Sequence, residues 1–96
     1  MLEPEQRRDL EAAVFRRLIT HLDENKDAQN IDLMILAGFC RNCLSKWYVT
    51  EAEKQGADID IGQAQEAVYG MPYSIWKENY QKPATKKQLN ALAARG

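Results

Sequence analysis

The chain has 96 residues, 45% of them hydrophobic, with two Trp, four Tyr, and 13 basic against 14 acidic side chains for a net charge of −1. That apolar and aromatic content is too rich for a disordered chain, and the near-zero charge gives no overall pull toward nucleic acid. No apolar run approaches the ~20 residues of a membrane span, the start MLEPEQRRDLEAAV is too charged for a signal peptide, and two cysteines make no disulfide framework.

The expectation is one soluble, cytoplasmic, all-helical domain over residues 1–96, with no repeat, no linker and no strand-like alternation. At 11.0 kDa the chain folds to about 5,600 Å² of surface. A monomer of that size is marginal, and pairing with a second copy would add to its stability.

The first predicted helix runs from about Pro4 to Leu22. Pro4 suits the first helical position, and Glu3, Glu5 and Asp9 sit at the positive end of the dipole. Leu10, Val14, Leu18 and Leu22 form an i, i+4 apolar stripe, widened by Phe15 and Ile19, with Glu11 intruding. Asp23 to Asp27 reads as a polar turn. The second helix is predicted from Asn30 or Ile31 to about Gln55, roughly 37 Å long. Asn30 serves as its N-cap, Asp32 lies in its first turn and Gly56 ends it. Its start is apolar on every side, through Met34, Ile35 and Phe39 as well as Leu33, Leu36 and Ala37. That predicts a central helix buried all round, partly by a second copy.

Asp60 with Gln63 and Thr85 with Gln88 have capping-box spacing and open two further helices. Ile61, Ala64 and Val68 form the stripe of the first, which Gly70 ends. Between these two, Pro72 starts a helix on which Tyr73, Trp76 and Tyr80 align, and they are expected to pack near Trp47. The whole reads as a small irregular bundle of four to five helices around one long central helix. Lys82 to Gly96 holds four basic residues and no acid, whereas Glu51 to Glu78 holds six acids and two lysines. This short basic helix or tail is either a solvated face or a segment docked on an acidic surface.

The pair Cys40 and Cys43 in C-x-x-C carries the most chemistry. Three readings stand: buried small hydrophobes, a metal pair, or a redox pair. In a helix running from 30 to 55 the pair falls mid-helix, where the dipole cannot lower a thiol pKa. Spacing i, i+3 puts both sulfurs on one face, and His21, the only histidine, lies at the edge of the first helix's stripe as a third ligand. No cofactor is expected, with Zn²⁺ the alternative. Arg41, Asn42 and Lys46 beside Trp47 and Tyr48 form a candidate surface for a phosphate, a base or a partner, centred on Arg41, Asn42, Lys46 and Tyr48. The Asp23/Glu24/Asp27 and Asp58/Asp60 turns lack the spacing of a calcium loop. No catalytic constellation or Gly-rich phosphate loop is present.

The stretches QNIDLMILAGFCRNCLSKWY, AVYGMPYSIWKENYQ and FRRLITHL resemble a family of short bacterial proteins known as domain of unknown function 1244. The family's recurrent motif maps onto His21, Gln29, Asn30, Asp32, Arg41, Asn42, Cys43, Trp47, Tyr48, Gly70, Met71, Pro72, Tyr73 and Trp76. The resemblance implies a compact, self-associating helical protein and brings no catalytic residue. The reading is therefore a homodimeric interaction or regulatory module with an unidentified protein partner. The alternative is a small metal- or thiol-dependent protein using Cys40, Cys43 and His21. Membrane and nucleic-acid partners are disfavoured.

Overall fold

Capping chemistry sets most helix boundaries in this chain. In the computed structural model, which describes residues 1–96, the helices are α1 (Pro4–Glu24), α2 (Asn30–Ala37), α3 (Arg41–Lys54), α4 (Ile61–Tyr69), α5 (Tyr73–Tyr80) and α6 (Lys86–Arg95), with no strand. Pro4 occupies the first turn of α1, and the Glu3 N–H donates to Gln6 Oε1. Asp60 with Gln63 and Thr85 with Gln88 close the two predicted boxes. At α2 the cap is Gln29 rather than Asn30, its N–H donating to Asp32 Oδ2 at 2.9 Å. That one-residue shift leaves the Asn30 side chain available to the interior. No helix is long and apolar enough to cross a membrane.

The predicted long helix from Asn30 to Gln55 is two helices. Gly38 caps α2 in the left-handed conformation at φ 75°, its N–H donating to Met34 O at 2.9 Å. Phe39 and Cys40 follow outside any helix, and α3 begins at Arg41. A residue without Cβ adopts positive φ freely, so the Gly that merely weakens a helix interior also ends one. The all-round apolar pattern of residues 31–39 thus spans a change of chain direction. α2 has no fully buried residue, and Leu36 is 78% exposed.

The core cluster is Leu22, Leu44, Val68, Tyr69 and Trp76, with Phe15, Leu18, Leu33, Phe39, Met71, Tyr73 and Tyr80 packed against it. It lies under the C-terminal half of α1 only. The predicted stripe is therefore inward at Leu18 and Leu22 but outward at Leu10 and Val14, which are 50% and 66% exposed. Trp76 is buried as expected, between Tyr69 and Tyr80. Trp47 does not meet it. It stacks on Phe39 and is otherwise exposed, because the break at Gly38 turns the Trp47 face of α3 outward. The basic C-terminal segment packs on α2 instead of the acidic stretch. Gln88 Nε2 donates to Asp32 Oδ1 at 2.9 Å, and Arg95 reaches Ile35 O at the negative end of α2. The molecule spans 48 × 30 × 25 Å with a radius of gyration of 15.3 Å, against about 12.5 Å for a compact chain of this length.

Candidate functional site

The break between α2 and α3 moves the C-x-x-C motif from mid-helix to a helix start. Cys40 is the N-cap of α3 in extended conformation, Arg41 is its first residue and Cys43 its third. Here free N–H groups and the helix dipole favour negative charge. The two sulfurs are 3.9 Å apart, and Cys43 Sγ donates to Met34 Sδ at 4.0 Å. Both cysteines are free thiols, Cys40 buried and Cys43 half-buried. Burial pushes the Cys40 thiol pKa up, and hydrogen bonding from the Cys43 and Asn42 N–H groups opposes it.

Arg41 points the other way, into the protein. The residue is 2% exposed, and its guanidinium lies 4.9 Å over the Trp76 ring. Nη1 donates to Ala28 O at 2.7 Å and to Asn30 Oδ1 at 3.1 Å, and Nη2 to Leu22 O and Asn25 O at 3.3 and 3.2 Å. Leu22 and Asn25 are at the C-terminal end of α1, where the dipole is negative, and their carbonyls each accept a turn N–H as well, from Asn25 and Ala28. A helix end thus stands in for a carboxylate. Burial lowers the Arg41 pKa from its ordinary value, with charge at Tyr69, Cys40 and Asp23 acting against that.

The network continues through Asn30 Nδ2, which donates to Tyr69 Oη at 3.0 Å, and Tyr69 Oη, which donates to Asn42 Oδ1 at 2.8 Å. Burial pushes the Tyr69 phenol pKa far above the usual range, against the stabilising bond from Asn30. Gln29 closes the far side, donating to Tyr80 O and accepting from the Lys82 N–H at 2.8 Å. No buried side-chain polar atom lacks a partner.

The candidate residues from the sequence therefore separate. Arg41 and Asn42 are consumed by the interior network, while Lys46 and Tyr48 are exposed on α3, so the four share no ligand surface. His21 is exposed on α1 beside Arg17, Thr20 and Glu24, and no three His, Cys, Asp or Glu side chains gather anywhere. The expected His21, Cys40 and Cys43 triad is not assembled, because α1 turns Phe15, Leu18 and Leu22 toward the core and His21 away. Met34, Tyr69 and the depth of Arg41 escaped the sequence reading. Gly38 followed by C-x-x-C was the signal that could have exposed them, since a helix stop there places the next residue at a helix start.

A second feature lies further along α3. A groove of about 740 Å³ opens between α1 and α3, walled by Phe15, Leu44, Trp47, Tyr48, Ala52 and Ile59, with Glu11 and Glu51 also on its lining. The Phe15 and Tyr48 rings meet across it at 6.4 Å.

Residues 28–94 match the model of a family described as protein of unknown function (DUF1244). No curated protein matches the chain.

Proposed function

We propose that this chain, which belongs to the DUF1244 family, is a non-catalytic interaction module of the bacterial cytoplasm that works as a two-fold dimer. The observation that carries the reading is the open apolar groove between α1 and α3, beside the uncovered Leu10 and Val14. The chain exposes 7176 Å². A compact monomer of this mass exposes about 5,600 Å². The excess is on the order of 1,500 Å², more than the ~800 Å² that a standard interface covers on each partner. A second copy suits that area, because a two-fold contact uses one patch twice.

Charge supports the same occupant. On α1 the exposed Arg7 and Arg17 flank Leu10 and Val14 at helical spacing, and the groove carries Glu11 and Glu51. Laying α1 of one protomer along the groove of its partner brings these opposite charges together while Leu10 and Val14 enter the apolar slot. Arg7 and Glu51 are held only by exposed local pairs with Glu11 and Lys54, which hold a side chain weakly.

Sedimentation equilibrium from nanomolar to micromolar concentration tests this. The expected result is a monomer–dimer equilibrium that Val14→Asp and Trp47→Ala each shift to monomer with helical content kept. A wild-type chain that stays monomeric, or variants that stay dimeric, overturns it. So does a monomer whose groove fills only with an added foreign amphipathic helix.

A further inference from the structure

We propose that Cys40, Cys43 and Met34 form a three-sulfur site for a soft monovalent cation, Cu(I). The geometry is set by the break between α2 and α3. Met34 lies one turn before the α2 cap and the cysteines lie in the first turn of α3, so the sharp change of direction folds three sulfurs together. The spacings are 3.9 Å between the thiols and 4.0 Å from Cys43 to Met34, with Cys43 the shared member. Metal–sulfur bonds of about 2.3 Å in a trigonal site hold the sulfurs about 4 Å apart, so these two edges already have the spacing the metal needs, and closing the third between Cys40 and Met34 completes the site.

The donor set selects the ion. Two thiolates and a thioether are soft ligands that favour Cu(I). Zn²⁺ asks for four ligands from thiolate, imidazole and carboxylate, and no His, Asp or Glu completes such a group here. Charge points the same way. Binding replaces two thiol protons with one Cu⁺, releases two H⁺ and leaves a centre of charge −1, Met34 giving only a lone pair. That negative centre sits at the N-terminus of α3, close to N–H groups of Asn42 and Cys43. Arg41, whose hydrogen-bond partners are carbonyls and Asn30 with no carboxylate among them, gains from negative charge on Cys40. A negative centre at Cys40 adds to the attraction that Asp23 already exerts on the buried guanidinium. Cys43 and Met34 are only half-buried, which leaves a route of entry. The site uses no part of the groove and stands or falls independently of dimerisation.

The test is an anaerobic titration of the reduced full-length chain with Cu(I) held by a chromophoric competing chelator. One equivalent should transfer, with ultraviolet thiolate-to-copper absorption and an affinity that rises with pH. X-ray absorption should show three sulfurs at about 2.3 Å. Cys43→Ser should abolish transfer. Met34→Leu, close in volume, should keep the fold by circular dichroism and weaken binding on the order of tenfold or more. Repeating the wild-type and Met34→Leu titrations with Ag(I) tests the thioether even if Cys43→Ser does not fold. No transfer from the chelator, two-sulfur coordination, or a Met34→Leu chain that binds Cu(I) and Ag(I) as wild type does, each overturns the proposal.

Discussion

The first turn of α3 and the groove further along the same helix are finished in opposite ways. Around Arg41 no buried side-chain polar atom is left without a partner in the chain, and the charge is set against a helix end and an aromatic face. At Trp47 and Tyr48 the surface is apolar and open. The difference teaches which kind of surface a small fold must complete by itself. A buried polar group without a partner costs about 1–3 kcal/mol and is intolerable in a marginal domain. An uncovered apolar slot only forgoes a gain, so it can wait for a second molecule.

Substitutions at the break and on α1 sharpen that contrast. Arg41→Ala should have the largest effect. It removes the guanidinium bonds to the carbonyls of Leu22, Asn25 and Ala28 and to Asn30 Oδ1, takes away the stack on Trp76 and leaves a cavity, for a loss of about 3 kcal/mol in urea denaturation. Arg41→Lys should recover less than half of it, since one ammonium cannot fork to carbonyls on both sides. An Arg41→Ala chain with an unchanged midpoint would show that the network is decorative.

Gly38→Ala comes next, at about 1–2 kcal/mol, because an L side chain resists φ 75° and its Cβ would stand 2.7 Å from Arg95 Nη2. Denaturation together with loss of the close Met34–Cys43 approach would check it.

Tyr69→Phe should cost about 1 kcal/mol near neutral pH through the lost bonds to Asn30 and Asn42. Burial holds the Tyr69 phenol and the Cys40 thiol neutral in the folded chain. In the unfolded chain they ionise near ~10 and ~8.5, so folding stability is fully present below those values and falls as pH rises past them. The wild-type urea midpoint should therefore decline above pH ~9, and Tyr69→Phe should flatten the part of that decline above pH ~10. The smallest effect belongs to exposed His21. His21→Ala should change stability by no more than about 0.5 kcal/mol and leave copper transfer intact.

Most of the helices were legible because their signals are local. Pro4, the Asp60 and Thr85 boxes and Gly70 act within one turn, and the structure keeps each of them. Gly38 was not legible as a stop, since the apolar residues on both sides of it continue a helical period. The same error placed Cys40 and Cys43 mid-helix and left Arg41 on a surface. Periodicity along one axis cannot reveal a turn of that axis, and the candidate site is built on such a turn.

Residue spacing by itself determined the all-helical class, the capped helix starts and the burial of Trp76, because each rests on contacts within a helix or on a plain apolar period; the family resemblance rests on three stretches of residue identity. Tertiary structure alone decided that α1 leaves Leu10 and Val14 uncovered, that α6 covers α2, and that His21 stands apart from the cysteines. It also decided that Arg41 is satisfied by the end of a helix 16 to 19 residues earlier in the chain. A guanidinium carries no mark in sequence of whether water or a distant carbonyl will receive its hydrogen bonds. That choice is made when the helices dock, by which of them brings the carbonyls of its C-terminal end within its reach.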